Sequence, residues 1–133
     1  MKVADSFELT FSFSQEQVDA FAEITGDKNP IHLDKGFAAK SIFARRIMHG
    51  FLSASVFSRI IGMHFPGNGA VYLSQNMRFL KPMFTGTEYK ARVKVAASEA
   101  KNRYKLETVV SSPSTGEITI EGNAEILYKG PAK

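Results

Sequence analysis

The chain has 133 residues, 44% of them hydrophobic and 23% charged, a balance that suits one folded domain over 1–133 and excludes a disordered or low-complexity chain. It has no cysteine, which excludes a disulfide framework, a thiolate nucleophile and any Cys-based zinc or iron–sulfur site. Seventeen Lys and Arg against thirteen Asp and Glu leave a net charge of +4, which suits an anionic ligand without demanding nucleic acid.

The opening MKVADSFELT lacks the apolar stretch of a signal peptide, and no later apolar run approaches the ~20 residues that span a bilayer. A cytoplasmic location is therefore expected. Phe7, Leu9, Phe11 and Phe13 alternate as in a strand. Ser14 with Gln17 three residues on offers an N-cap, and Val18, Phe21, Ala22 and Ile24 at near-helical spacing predict a helix that stops at Gly26. Asp34 can cap a short helix that buries Phe37 and Ala38, and 41–46 reads as irregular. Residues 50–63 (GFLSASVFSRIIGM) are apolar or small on nearly all sides, as in a helix enclosed by the rest of the protein.

After the turn cluster Phe65-Pro66-Gly67-Asn68-Gly69 the composition shifts to β-branched and aromatic residues with stretches of alternation. Strands are predicted over 70–79, 88–100, 101–111 and 116–128, with turns at Thr85-Gly86 and 112–116. Short turns between consecutive strands imply an antiparallel sheet, and the apolar helix must lie against it. The expected class is α+β, a sheet wrapped round a helix.

The chemistry concentrates in 25–34, TGDKNPIHLD. Pro30 restricts itself and Asn29 to extended or turn backbone, so Asp27 and His32 are held on a bend. A carboxylate and an imidazole sharing one water is what general acid–base chemistry requires, since one group takes a proton while the other gives one. The same residues also fit ordinary turn chemistry with a packed histidine bonded to a backbone carbonyl. A metal held by His32, Asp34 and His49 is a third reading, although irregular backbone fixes no ligand geometry there. Further on, Arg45-Arg46-Ile47-Met48-His49-Gly50 leads into the apolar helix. A glycine at a helix start admits a ligand close to the backbone, and the free N–H groups there favour a negative oxygen.

These segments resemble the MaoC-like hydratases and dehydratases, in particular the (R)-specific enoyl-CoA hydratases of the hot-dog fold. The resemblance runs through Gly-Asp-x-Asn-Pro-x-His-x-Asp at 26–34, Ile-Met-His-Gly-Phe at 47–51, Pro66-Gly67, Tyr72-Leu73-Ser74-Gln75 and Phe79-Leu80-Lys81-Pro82. It implies a curved antiparallel sheet around a long central helix, a homodimer, and acyl-thioester substrates, with no metal or redox cofactor. By the same resemblance Asp27 and His32 are the catalytic pair and Gly50 the oxyanion-hole donor. Ser58 and Ile61 line the acyl pocket, and Arg45, Arg46, Arg78 and Lys81 are candidates to meet the phosphates of coenzyme A or of a phosphopantetheine carrier. Arg46 departs from the proline that the family often has before its Ile-x-His-Gly segment. The leading expectation is syn hydration of a trans-2-enoyl-CoA to the (R)-3-hydroxyacyl-CoA. A 3-hydroxyacyl-[acyl carrier protein] dehydratase and a non-catalytic acyl-CoA-binding module are the alternatives, and a thioesterase fits the Asp27–His32 bend poorly.

Overall fold

A computed structural model describes residues 1–132. Five strands form one antiparallel sheet: β1 (Ser6–Phe11), β2 (Val71–Phe79), β3 (Tyr89–Glu99), β4 (Arg103–Ser111) and β5 (Ile118–Leu127), in the order β1-β3-β4-β5-β2. β3 buries Tyr89, Ala91, Val93 and Val95 and turns the residues between them outward, which is the period-2 alternation read from the sequence. Register shifts between Val95 and Ala97, Tyr72 and Ser74, and Val110 and Ser111 insert extra residues that bend the strands. The bent sheet closes around a helix, α4 (Gly50–Met63), whose Leu52, Ser53, Ala54, Val56, Phe57, Ile60 and Ile61 are buried. Each large apolar side chain so enclosed stabilises the fold by about 1.5–3 kcal/mol. Gly122 lets β2 and β5 meet, because a Cβ at that position would run into the main-chain oxygen of Asn76.

Three short elements lie before α4. α1 (Gln15–Thr25) carries the full capping box between Ser14 and Gln17, and it ends at Gly26 with φ 79°, whose N–H donates to the Ala22 carbonyl. Val18 and Ala22 are buried there, but Ile24 is 84% exposed. Two residues past Ala22 is about 200° round the helix, so Ile24 faces away from the core. Residues 30–33, expected as part of a bend, form one helical turn, α2 (Pro30–Leu33). Proline at the first helical position has the right φ and no N–H to leave unpaired, and the Asn29 side chain accepts from the Ile31 N–H to cap it. α3 (Lys35–Ala39) is capped by Asp34 as expected. It buries Ala38, whereas Phe37 is 52% exposed, since five residues present only one narrow face to the core. Among the described residues no helix is long and apolar enough to cross a membrane.

Candidate active site

The site assembles where α1, α2 and the start of α4 meet. His32 is buried in α2, and its Nδ1 lies 2.8 Å from the Ile47 carbonyl oxygen. A carbonyl can only accept, so Nδ1 carries the hydrogen and Nε2 is the nitrogen left for chemistry. Ile31 and Ile47 are joined by a main-chain bond of 3.2 Å, and Gln15 Nε2 donates to the His32 carbonyl at 2.9 Å. The imidazole is thus fixed from α1 and from the segment before α4.

Asp27 is exposed on the loop between α1 and α2, and its Oδ1 accepts from the Asn29 N–H at 3.3 Å. One ligand-type atom from each of Asp27, His32 and His49 lies within 4.8 Å of the others. A water making two ordinary hydrogen bonds at a tetrahedral angle spans about 4.6 Å, so the carboxylate and the imidazole are spaced to share one. His32 and His49 stack at 3.9 Å between centroids with a 30° tilt. The one acid of the metal reading, Asp34, is occupied in capping α3.

Burial is the largest influence on His32 and holds its pKa below the ordinary 6.5; the Ile47 hydrogen bond opposes this, the neighbouring His49 reinforces it, and Asp27 opposes it. The ring is therefore neutral at pH 7 and able to accept a proton. Because the native value is the lower one, stability contributed by neutral His32 is complete above 6.5 and declines as pH falls through the native value. An NMR titration of the His32 ring is expected to centre below 6.5, and a midpoint above it would contradict this electrostatic balance.

Gly50 is the first residue of α4, and its N-cap, His49, makes no side-chain cap bond. The first-turn N–H groups of a helix have no intrahelical partner. A Cβ on Gly50 would approach the Phe79 ring to 2.8 Å, so glycine lets the helix start sit against that ring. A cavity of about 440 Å³ opens here, lined by His32, Phe43, Ile47, Met48, Gly50, Phe51, Ser53, residues 79–83 and Ile120. Its walls are apolar around one imidazole, one helix N-terminus and the Ser53 hydroxyl, which is buried without a hydrogen-bond partner among the described residues.

The other expected site residues are distributed unevenly. Ser58 lies on the exposed side of α4 and Ile61 in the core, and neither lines the cavity. From α4 the cavity is lined by Gly50, Phe51 and Ser53, all in the first turn. Lys81 borders the cavity and pairs with Glu117 at 3.6 Å. Arg45 lies 3.5 Å over the Phe84 ring, in an adjoining hollow that shares Lys81 and Pro82 with the cavity. Arg46 donates to the Leu33 carbonyl at 3.3 Å. Arg78 does not belong with them: it alternates with Phe79 on β2 and faces the opposite side of the sheet, in a hollow with Glu107 and Glu121.

A family model described as MaoC like domain matches residues 2–117. The chain is 38% identical to the mitochondrial 3-hydroxyacyl-[acyl-carrier-protein] dehydratase of Arabidopsis thaliana, a match covering 100% of this chain and 85% of that protein. It is 36% identical to the (R)-specific enoyl-CoA hydratase of Aeromonas caviae, covering 95% of this chain and 94% of the relative. The solved structure of an (R)-hydratase from A. caviae involved in PHA biosynthesis superposes with a TM-score of 0.92, over 96% of this chain and 97% of that one, with 38% identity across the residues superposed. The sheet wrapped on α4 is thus the hot-dog fold that the sequence led us to expect.

Proposed function

The chain belongs to the MaoC-like domain family, and from that premise we infer that it is a hydro-lyase, an (R)-specific enoyl-CoA hydratase. It adds water reversibly and syn across the double bond of a trans-2-enoyl thioester, giving the (R)-3-hydroxyacyl thioester. The observation that carries the mechanism is the closeness of Asp27 to His32, whose imidazole lines an apolar cavity together with the Gly50 end of α4.

In the proposed reaction Asp27 and His32 Nε2 hold the water. As its oxygen bonds to C3, one proton passes to the pair and the double-bond electrons move onto the thioester oxygen as an enolate. The Gly50 N–H stabilises that charge, which is stronger in the transition state than in the substrate. C2 then takes a proton from the pair as the enolate collapses. The pair acts as a unit, since two coupled groups exchange protons jointly. The Ser53 hydroxyl and the apolar walls receive the acyl portion.

The positive charge, diffuse when counted over the whole chain, is concentrated. Residues 35–87 hold seven Lys and Arg (Lys35, Lys40, Arg45, Arg46, Arg59, Arg78 and Lys81) and no Asp or Glu, and they supply the cavity lining apart from His32 and Ile120. We assign Lys81 and Arg45 to the carrier phosphates, with Arg46 beside them, and leave Arg78 out. An acyl carrier protein presents the same pantetheine phosphate, and the match to the Arabidopsis dehydratase along the whole chain supports a second reading in which that protein is the carrier. Loss of enoyl-thioester absorbance with the same acyl group on each carrier tests both. Turnover is expected on coenzyme A; release of free thiol, or tight binding without turnover, would contradict the hydro-lyase reading.

The pairing of two chains is also part of this proposal. β2 is an edge strand, and Val71, Leu73, Phe79 and Leu80 on and beside it are exposed, as are Phe51 and Met63 of α4. A long apolar edge left open invites strand pairing. A dimer mass by sedimentation is expected at micromolar concentration, and a fully active monomer would contradict it.

A further inference from the structure

The site contains one buried polar side chain to which the reaction just described gives no role. His49 is 2% exposed and lies between the two chemical groups. Its Nε2 lies 2.9 Å from the main-chain oxygen of Asp27, so Nε2 is the donor, while Nδ1 is buried with no partner among the described residues. One face of its ring stacks on His32 at 3.9 Å, and Phe21 of α1 packs against it at 4.8 Å.

The loop carrying Asp27 is otherwise bonded only to its own neighbourhood. Gly26 N–H goes to Ala22, Asp27 N–H to Thr25 Oγ1, Lys28 N–H to Gly26 and Asn29 N–H to Asp27 Oδ1. Among the described residues, the His49 bond is the only one tying 26–29 to a distant part of the chain. An exposed carboxylate on such a loop would wander relative to His32 without it, and misplacement by about 1 Å can slow a reaction about a hundredfold. The residue following His49 is Gly50, so one short segment reaches all three groups.

We propose that His49 is a positioning residue: by tethering the Asp27 main chain and backing the His32 ring, it sets the distance between the two and fixes both relative to the start of α4. This rests on the hydro-lyase reading for its consequence in turnover, but not for its geometry.

Two variants separate the tether from the packing. His49→Phe keeps a flat ring between His32 and Phe21 and gives nothing to Asp27. His49→Gln gives up the ring but keeps an N–H donor at nearly the same reach. In this chain, His49→Phe is expected to lower kcat roughly tenfold to a hundredfold with KM changed little, and His49→Gln to retain the larger share of kcat. Wild-type kcat in His49→Phe, an equal loss in both variants, or a loss confined to KM would overturn the proposal. ¹⁵N NMR of the wild-type chain tests the same point without turnover and without either variant folding. The His49 ring is expected to be protonated at Nε2; a hydrogen on Nδ1 alone would remove the tether. If the wild type hydrates no enoyl thioester while this tautomer is found, the functional reading fails and the tether stands.

Discussion

Replacing Asp27 by Asn or His32 by Ala is expected to lower turnover by about two to four orders of magnitude, the scale of a positioned general acid or base. Asp27→Asn keeps the shape of the side chain and the acceptor for the Asn29 N–H, but removes the charge that orients the water and takes part in the proton exchange. His32→Ala removes Nε2, the ring nitrogen not committed to Ile47. Both changes lie at the edge of the fold rather than in the sheet-and-helix core. Unchanged circular dichroism beside the lost rate identifies the loss as chemical. Near wild-type turnover in either variant, at the same melting temperature, would remove that residue from the mechanism.

The largest effect expected on stability is at Phe57. It is 1% exposed in the middle of α4, within the buried cluster that includes Ile60, Val93 and Leu106. Phe57→Ala removes the apolar area and leaves a cavity that a closed sheet cannot collapse to fill, a loss of about 3–5 kcal/mol. Against a typical total of about 5–15 kcal/mol, that is a large fraction, read as a fall in the urea midpoint with little change in slope. A loss under about 1 kcal/mol would mean that α4 is not the centre of the core.

What the sequence disclosed depends on the range of the forces involved. The Ser14–Gln17 capping box, the Gly26 stop and the alternation of β3 are local chemistry, and all three stand in the structure. α4 was legible because a helix apolar on nearly every side can only be enclosed. The errors lie where a neighbour decides. Phe37, expected to be buried, is apolar in a short helix but faces no partner surface in the chain. Proline at 30 suits a helix start as well as a bend, and the Asn29 cap chose the helix.

The candidate site follows the same division. Asp27, His32 and Gly50 are close in sequence to motifs whose spacing could be read, and the structure brings them to one corner. The acyl-pocket expectation named Ser58 and Ile61, whereas the cavity touches Ser53. Which turn of α4 faces the opening is set by residues 79–83, the end of β2 and the loop after it, on the far wall, and no local pattern in the helix reports that. His49 was visible as part of a His-Gly pair, but its bond to Asp27 spans 22 positions and had no local signal. Arg78 and Phe79 differ by one position and therefore by one face of the sheet, so charge alone could not separate it from Lys81.

The claim at the centre of the account is that Asp27 and His32 share one water on one side of the substrate. Hydration of crotonyl-CoA in deuterated water tests it most directly, since the relative configuration of the new C2–deuterium and C3–oxygen bonds records the faces from which they arrived. A shared water predicts that both arrive on the same face, giving the syn product with (R) configuration at C3. A syn product with (S) configuration would overturn only the orientation of the acyl chain between Gly50 and the pair; an anti product would contradict the shared water itself.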